Sequence, residues 1–254
     1  MDGITAPEIS IVVPVRNGAN FLRQALESAL AQDHPSYEII VGINPSDDST
    51  LELSQEILGK KYPGIIAFKD EVNMPQNFNR TVARARGKYI KFLSHDDILK
   101  PFSLNALVSE FYKKANLVLA TSYESFLPSS QPSRREAALG KHHYLGKYRS
   151  LYRFSKYGNW LGGPSGVMVK TEIFRNIMFD EDLPCAFDLN CWIEMSRRGR
   201  IAIVPKELYS TRIHAHQGTR SCNQGGFTKD LNKIRYKHMH SSDLLIRAIF
   251  QFAR

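Results

Sequence analysis

The amino-acid sequence predicts an α/β protein with a doubly wound, mostly parallel sheet flanked by helices. Continuous apolar runs at Ile9–Val15 and Tyr37–Ile43 are typical of strands buried on both faces of such a sheet. The apolar residues between these runs recur with helical spacing, and the alternation of strand and helix continues to residue 93. A repeated β-α order of this kind places ligands at the carboxyl ends of the strands.

The individual elements follow from the same periodicities. The expected order is a strand at Ile9–Val15, a helix through Phe21–Leu30, a strand at Tyr37–Ile43, a helix through Leu51–Leu58, a strand at Gly64–Phe68, a helix at Phe78–Ala85 and a strand at Tyr89–Leu93. The pair His34-Pro35 ends the first helix, and Asp48 or Ser49 can cap the second.

The second half of the chain is less regular. From about Glu124 to Tyr157 the periodicity fades and Ser, Pro and basic residues dominate, which predicts a long, partly mobile excursion. Order returns with an expected strand at Val167–Lys170, a helix at Leu189–Arg197 and a short strand at Ile201–Pro205.

Composition limits the classes of partner. The 254 residues carry a net charge of +9, which favours anionic partners such as nucleotide phosphates, nucleic acid or an acidic membrane surface. Nucleic acid is not expected, since the basic runs lack a recognition-helix motif and regular aromatic interleaving. No run approaches the roughly 20 apolar residues of a membrane span, and the first ten residues do not resemble a signal peptide. We expect a cytoplasmic protein, either soluble or at the inner face of the membrane.

The three cysteines are Cys185, Cys191 and Cys222. Their odd number does not suit a disulfide framework, and their spacing does not suit a zinc site. They are interpreted as packing residues in a reducing cytosol.

An acidic pair follows the fourth predicted strand. Asp96 and Asp97 stand just beyond Tyr89–Leu93, where side chains emerge at the rim of a sheet. Hard divalent cations such as Mg²⁺ and Mn²⁺ prefer oxygen ligands and keep waters or substrate phosphates as their other partners. The pair therefore fits a cation site, but a carboxylate here also fits a helix cap ahead of Pro101. These residues alone favour neither interpretation.

Polar residues also follow the first two predicted strands. Arg16 and Asn17 come after one strand, and Asn44 opens the polar stretch after the next. The topology gathers these groups on one rim, where a nucleotide needs partners for its base, ribose and diphosphate. The Asn44 amide can donate to or accept from a base edge, although an Asn-Pro turn accounts for this residue equally well.

Three segments in series resemble a known family. They read ISIVVPVRNGANFLRQALESALAQ, YEIIVGINPSDDST and NFNRTVARARGKYIKFLSHDD. The series, from about Glu8 to Pro101, is similar to the N-terminal half of the family-two inverting glycosyltransferases of GT-A fold. The resemblance implies a nucleotide-binding role for Pro14, Asn17, Asn44, Asn79 and Asp96, and a metal role for Asp97. Arg16, on the same rim, is expected to join the nucleotide-sugar site.

Two departures from the family pattern bear on these roles. Where the family has two Asp before Gly-Ser, this chain has Ile43 and Asn44, so the expected base contact is an amide. Ser94 replaces the first acid of the D-x-D motif, which leaves Asp96 and Asp97 as the nearby acids. Asp97 is then the expected direct metal ligand, and Asp96 the expected partner of the ribose or of a metal-bound water.

The resemblance is looser in the second half. The run Ala186–Trp192 resembles the family's E-D-x-D-x-W segment, and Asp188 falls on the general base that an inverting transfer requires. Its alternative role is a helix N-cap. Arg212-Ile213-His214 resembles the late R-x-H element, which makes His214 a candidate metal ligand; the alternative is an ordinary surface histidine.

The resemblance also organises the chain. Residues 1–228 are expected to form one GT-A domain, with a nucleotide-binding half at about 8–105 and a smaller acceptor-side half at about 106–228. Residues 229–254 form a basic amphipathic tail that either lies on an anionic membrane or packs on the domain or a second subunit, as in a homo-oligomer. The basic residues of the excursion either cover the donor, face an anionic acceptor or are simply solvated. They are Arg134, Arg135, Lys141, His142, His143, Lys147, Arg149, Arg153 and Lys156.

The resemblance implies an enzyme of glycosyl transfer. It would move a sugar from a nucleoside-diphosphate sugar to a saccharide or lipid-linked acceptor, with a divalent cation, Mn²⁺ or Mg²⁺, in the synthesis of cell-surface polysaccharide or glycolipid. The alternatives are a non-catalytic nucleotide-binding module and a metal-dependent nucleotidyltransferase. The latter would be expected to carry a Gly-rich loop after the first strand, where this chain has Arg16-Asn17-Gly18.

Overall fold

The sheet elements alternate with helices along most of the chain. The computed structural model describes residues 6–127, 144–215, 217, 222 and 224–252. The strands are β1 (Ile9–Val15), β2 (Tyr37–Ile43), β3 (Ile65–Ala67), β4 (Tyr89–Phe92), β5 (Ile98–Leu99), β6 (Leu117–Leu127), β7 (Tyr144–Leu145), β8 (Val167–Lys170) and β9 (Arg200–Arg212). The helices are α1 (Leu22–Leu30), α2 (Thr50–Leu58), α3 (Met74–Val82), α4 (Ser103–Lys113), α5 (Lys147–Tyr157), α6 (Thr171–Arg175), α7 (Phe187–Arg198), α8 (Gln224–Met239) and α9 (Leu244–Phe252).

Strand direction divides the sheet into two parts. The order is β3-β2-β1-β4-β8-β6-β9-β5, with β7 beside β9. Strands β1 to β4 are mutually parallel. Strand β8 runs antiparallel to β4 and β6, whereas β9 is parallel to β6 and antiparallel to β5 and β7. Most strands of the described chain therefore share one direction, which confirms the predicted α/β fold with a mostly parallel sheet.

Side chains of β1 alternate between two hydrophobic cores, one on each face of the sheet. Ile9, Ile11 and Val13 pack with α1 and α4, and Val12 packs with α3, α5 and α7. Phe179 joins the two halves of the second core, since its ring centroid lies 5.2 Å from that of Phe78 on α3 and 5.8 Å from that of Trp192 on α7. Both faces of the sheet are covered, as expected for a parallel core.

Two parts of the second half differ from the sequence prediction. Both ends of the irregular excursion expected from 124 to 157 are regular, because β6 continues to Leu127 and α5 occupies Lys147–Tyr157. Helix α5 buries only Ser150, Leu151 and Phe154, a stripe too narrow to show as helical periodicity. The predicted short strand at Ile201–Pro205 extends through Arg212. Arg134, Arg135, Lys141, His142 and His143 lie outside the described residues.

The C-terminal helices pack against the domain. Ile234 on α8 and Ile246 and Phe250 on α9 are buried in the same core as Trp192. Position 229, the expected start of the tail, falls inside α8. Packing on the domain is therefore the alternative realised in the structure. No helix of the described chain is both long and apolar enough to cross a bilayer.

The interpretation of the cysteines was wrong for two of them. Cys185 and Cys222 form a disulfide, with 5.5 Å between their Cα atoms. Cys191 is buried and free, as expected of a packing residue. Sequence spacing missed the pair because the two residues are 37 positions apart and meet only through the packing of α8 against the start of α7. Because two of the three cysteines are paired, the cysteines do not indicate a reducing cytosol.

Candidate active site

The carboxyl ends of β1, β2 and β4 lie side by side at one edge of the sheet. Their parallel register aligns Val15 with Ile43, and Val12 with Phe92. The loops that leave this edge carry the polar residues singled out in the sequence. The topology has therefore brought Arg16, Asn17, Asn44 and the Asp96-Asp97 pair to a common rim.

Asn17 ties the loop after β1 to the loop after β2. It adopts a left-handed backbone conformation with φ of 49°, which asparagine tolerates better than most residues. Its side-chain oxygen accepts from the Asp47 backbone N–H at 2.9 Å, and its own N–H donates to Ser46 Oγ at 3.1 Å. Neighbouring Arg16 is half-exposed and pairs with Glu71 at 2.7 Å. Pro14 is buried within β1 opposite Gly42 and supports this edge through the backbone.

Asn44 presents an unused acceptor at the end of β2. Its side chain is 3% exposed, and its Nδ2 donates to the Val72 carbonyl at 2.8 Å. That bond fixes the orientation of the amide, leaving Oδ1 buried without a hydrogen-bond partner in the described chain. An unsatisfied buried acceptor costs about 1–3 kcal/mol, so a ligand that donates to Oδ1 would recover that free energy.

Asp96 is held by Arg212, the last residue of β9, and by His214 just beyond it. His214 Nε2 lies 2.9 Å from Asp96 Oδ2, and the Arg212 Nε donates to the Asp96 carbonyl at 3.2 Å. The His214 ring packs on Phe21 at 4.6 Å between centroids, and the Arg212 guanidinium lies 4.8 Å from the centre of the same ring. The late R-x-H element thus reaches the acidic pair from the far end of the chain.

The Asp96–His214 pair has the spacing of two ligands of one cation. In an octahedral Mg²⁺ site each ligand lies about 2.0–2.1 Å from the metal, so adjacent ligands are about 2.9 Å apart. His214 Nδ1 is buried with no partner in the described chain. The described residues contain no cluster of three or more His, Cys, Asp and Glu side chains arranged to hold a metal. The donor set thus fits a cation that takes its remaining ligands from a diphosphate or water.

Asp97 lies deeper than Asp96. It is 7% exposed, accepts from the Arg212 backbone N–H at 3.2 Å and hydrogen-bonds the Ser165 hydroxyl. Burial, and then the charge of Asp96, raise the pKa of Asp97 to about 7. A cation at this rim would favour its ionised form, because an opposite charge lowers a carboxyl pKa.

Lys91 and Glu124 were not predicted as site residues. Lys91 is 1% exposed in β4, and its ammonium donates to the Phe92 carbonyl at 2.8 Å and to the Ser165 carbonyl. Burial lowers the pKa of Lys91 to about 7, partly opposed by Asp97. Glu124 on β6 is buried and accepts from the Tyr209 hydroxyl at 2.8 Å. Lys91 could have been noticed in the sequence as a lysine inside the apolar run YIKFL. No sequence pattern indicated Glu124.

Asn79 hydrogen-bonds the segment that contains Phe179 and Glu181. Its Nδ2 donates to the Phe179 carbonyl at 2.9 Å and to Glu181 Oε1 at 3.1 Å, and its Oδ1 accepts from the Phe179 N–H at 3.0 Å. Both amide N–H donors are therefore used within the chain. Its contact with a nucleotide stays a prediction.

Asp188 lies in the first turn of α7 and is partly exposed. The N-cap position belongs to Ala186, so Asp188 is not the cap itself. Its Oδ1 accepts from the Leu189 N–H, and its Oδ2 accepts from the Asn159 side-chain amide, both at 2.7 Å. Asn159, which the sequence reasoning missed, therefore orients the carboxylate.

One short segment, residues 159–165, connects the two sets of acidic residues. At its first end Asn159 holds Asp188. At its last end Ser165 accepts from the Ser94 N–H at 2.9 Å and bonds Asp97. Six residue steps allow at most about 21 Å between the Cα atoms of Asn159 and Ser165, even when fully extended. We call this segment the bridging loop; one of its ends contacts Asp188 and the other contacts the Asp96-Asp97 rim.

The fold is that of the GT-A glycosyltransferases. Staphylococcus aureus TarS residues 1–349, in complex with UDP-GlcNAc, superposes with a TM-score of 0.77 at 17% identity, covering 97% of this chain and 74% of that one. Mannosyltransferase PcManGT from Pyrobaculum calidifontis, in complex with GDP-Man and Mn²⁺, gives a TM-score of 0.68 at 13% identity over 98% of this chain and 69% of that one.

Sequence comparison identifies the family. The model of Glycosyl transferase family 2 matches residues 10–178, well over half of the chain, so the chain belongs to this family. An uncharacterized glycosyltransferase of Rickettsia prowazekii is 29% identical over 250 residues, 91% of this chain and 74% of that protein. Pasteurella multocida chondroitin synthase is 32% identical over 111 residues, 44% of this chain and 12% of that protein.

Proposed function

We propose that the chain transfers a sugar from a nucleoside-diphosphate sugar to a hydroxyl of a saccharide or lipid-linked acceptor, with inversion at the anomeric carbon. The reaction would serve the synthesis of cell-surface polysaccharide or glycolipid. Membership of Glycosyl transferase family 2 supports glycosyl transfer. The bridging loop supports a general base near the donor site, because one segment contacts both the Asp188 carboxylate and the rim that bears Asp96 and Asp97.

The donor base would bind at Asn44. The Oδ1 of this amide has no hydrogen-bond partner in the described chain, and one of its two N–H groups donates to Val72. The unused acceptor favours a base that presents a ring N–H, as uracil, thymine and guanine do. TarS has been solved with UDP and with UDP-GlcNAc, and PcManGT with GDP-Man, which makes uridine and guanosine sugars the first donors to test.

Asp96 and His214 would hold a divalent cation, with Asp97 behind them. The cation, when bound, would neutralise the charge that develops on the departing diphosphate. The chain's own residues shape this site: Asn17 fixes the loop after β1, and Arg212 donates to the Asp96 carbonyl and to the Asp97 carboxylate. In this proposal His214 keeps its predicted metal role, and Asp96 replaces Asp97 as the direct carboxylate ligand.

Asp188 would act as the general base. The acceptor hydroxyl attacks the anomeric carbon from the face opposite the leaving diphosphate, and its proton passes to a carboxylate oxygen of Asp188 as the bond to the diphosphate breaks. Asn159 and the Leu189 N–H keep that carboxylate in one orientation. A positioned base of this kind contributes about 10²–10⁴-fold to the rate.

Hydrolysis of UDP-GlcNAc and GDP-mannose with and without Mn²⁺ tests the proposal, because water can replace the acceptor hydroxyl. We expect Mn²⁺-dependent release of the nucleotide, and we expect Asp188→Asn to lower its rate at least about 100-fold while nucleotide-sugar affinity stays within twofold. Equal loss of rate and affinity would show that Asp188 is structural. Full activity in the presence of a chelator would remove the cation from the proposal.

A contact with anionic membrane at the inner face is also proposed. Leu244 and Leu245 are 73% and 49% exposed at the start of α9, beside the ion pair between Lys147 and Asp243. Exposed leucines next to a basic helix suit an anionic bilayer surface. Vesicles containing phosphatidylglycerol should sediment the protein, and a double substitution of Leu244 and Leu245 by Ser should weaken sedimentation. Equal sedimentation of the variant would contradict the proposal.

A further inference from the structure

The helix that carries Asp188 has no capping side chain of its own. The N-cap residue of α7 is Ala186, which has no side-chain oxygen to accept from the helix. The first N–H groups of a helix need acceptors, and an end without them is unfavourable. The Asp188 carboxylate accepts from the Leu189 N–H, which lies on the helical side of the N-cap. The acceptor for the preceding N–H groups must therefore come from elsewhere.

Asp230 of α8 supplies that acceptor. Its Oδ2 accepts from the Cys185 N–H at 2.8 Å and from the Ala186 N–H at 3.2 Å. Asp230 is 3% exposed, so the bonds are shielded from water. A carboxylate at a helix N-terminus is stabilised both by these hydrogen bonds and by the helix dipole. Asp230 thus fixes the N-cap residue of α7 and the residue before it from a position 44 residues later than Ala186.

Two further contacts hold the same segment to the α8 region. The Cys185–Cys222 disulfide joins the residue before the α7 N-cap to the approach to α8. The Lys233 ammonium donates to the Asp182 carbonyl at 2.9 Å. Four bonds therefore fix the chain leading into Asp188 to α8 and its approach, and the two bonds to Asp230 lie nearest to Asp188 in sequence.

We propose that Asp230 is a positioning residue for the general base, and that α8 thereby belongs to the acceptor side of the active site. The proposal rests on the role of Asp188 stated above. Asp188 lies two residues beyond Ala186, so any shift of the α7 N-terminus moves the carboxylate relative to the donor. Displacement of a catalytic group by about 1 Å can lower a rate about 100-fold.

The effect is confined to one half of the site. The base, ribose and diphosphate contacts proposed for the donor stand on loops after β1, β2 and β4, whereas the hydrogen bonds given for Asp230 within the described residues go to Cys185 and Ala186. Loss of Asp230 should therefore lower turnover without weakening donor binding. A residue that merely stabilised the fold would change neither quantity in protein that remains folded.

The experiment compares Asp230→Asn and Asp230→Ala with a matched control. Asp230→Asn keeps an acceptor oxygen but loses the charge, and it is the milder variant if Asp230→Ala folds poorly. Asp243→Asn is the control, since Asp243 is also a carboxylate that accepts from two backbone N–H groups at the start of a helix, those of Leu245 and Ile246 at 3.1 and 3.2 Å. Each variant is checked by thermal unfolding, then assayed for UDP-GlcNAc and GDP-mannose hydrolysis and for nucleotide-sugar affinity by calorimetry.

We expect Asp230→Asn to lower kcat about 10-fold and Asp230→Ala about 100-fold, with nucleotide-sugar Kd within twofold of the parent. Asp243→Asn should keep kcat within twofold. Unchanged kcat in folded Asp230 variants, an equal loss in Asp243→Asn, or a parallel loss of donor affinity would each overturn the proposal. The Asp188→Asn protein separates the two levels of inference. If Asp188→Asn retains full kcat, the assignment of the base and this proposal both fail. If Asp188→Asn loses kcat while the Asp230 variants remain active, only the role of Asp230 is overturned.

Discussion

The donor rim and the acceptor side of this molecule are built in different ways. At the donor rim each polar residue stands on a loop that directly follows a parallel strand, and bonds such as that from the Asp47 N–H to Asn17 join neighbouring loops. On the acceptor side Asp188 sits on a helix fixed by Asn159, 29 residues earlier, and by Asp230 on α8. Sheet topology therefore brings the donor groups to one rim, where Arg212 and His214 also hold the acidic pair, whereas the helix that bears the base is fixed by tertiary contacts.

Replacement of Asp96 would test the donor rim most severely. Asp96→Ala removes the carboxylate that faces His214, and we expect hydrolysis of the donor to fall at least about 100-fold, as for the loss of a group that stabilises charge in the transition state. Stimulation by Mn²⁺ and Mn²⁺-dependent nucleotide affinity should disappear together. Glu52→Gln, which removes an exposed carboxylate from α2, is the control and should keep both. Retained Mn²⁺ stimulation in Asp96→Ala would place the cation elsewhere.

His238 gives a second test, on the packing of the C-terminal helices. It is fully buried, its ring stacks on Phe250 at 5.0 Å, and both ring nitrogens lack hydrogen-bond partners in the described chain. Burial lowers the pKa of His238 to about 4; Glu194 opposes this shift, and the nearby positive charges of Lys237 and Arg197 add to it.

Between pH 6.5 and 4, His238 therefore binds a proton in the unfolded chain but not in the folded chain. The free energy of unfolding falls as the pH falls through this range. From pH 7 to 4.5 the free energy of unfolding should decrease by about 2.5 kcal/mol on account of this residue. His238→Phe should remove that part of the slope, as measured by urea unfolding at both pH values. Identical pH slopes for parent and variant would contradict the assignment.

Substitution of Asn44 should have the smallest effect and act on binding alone. Asn44→Ala removes the buried oxygen proposed to accept from the base, and we expect donor affinity to fall about 10-fold, in line with about 1–1.5 kcal/mol for one hydrogen bond. The rate at saturating donor should stay unchanged. Asn105→Ala, which removes an exposed amide that donates to the Asp33 carbonyl, should alter neither quantity. A lower saturated rate in Asn44→Ala would mean that the residue also orients the reacting sugar.

The same contrast explains how far the sequence predicted the molecule. Strands β1 and β2 matched their predicted limits, because uninterrupted β-branched runs are unambiguous when both faces of the sheet are covered. Strand β9 was cut short at Pro205 because residues 205–207 are exposed, beside register shifts in its pairing with β6. Such a bulge turns polar side chains outward without ending the strand.

The residues of the site were likewise predictable only where their positions follow from the strand order. Residues at strand ends could be predicted from topology, but no local pattern connects Asp230 to α7 or Cys185 to Cys222. When another helix supplies the acceptor, the sequence near the residues it contacts contains no pattern that predicts it. Ala186 at the N-cap was the one local hint, since a helix without a capping residue needs an acceptor from elsewhere.

The bridging loop has a consequence for recombining such enzymes. Its two ends serve different substrates, since Asn159 orients the carboxylate proposed to face the acceptor and Ser165 supports the rim proposed for the donor. A chimera whose crossover falls between these positions would take one end of the loop from each parent. The distance between the contact with Asp188 and the contact with the donor rim would then match neither parent. Exchange of acceptor specificity should therefore tolerate crossovers before Asn159 or after Ser165 better than any within the loop.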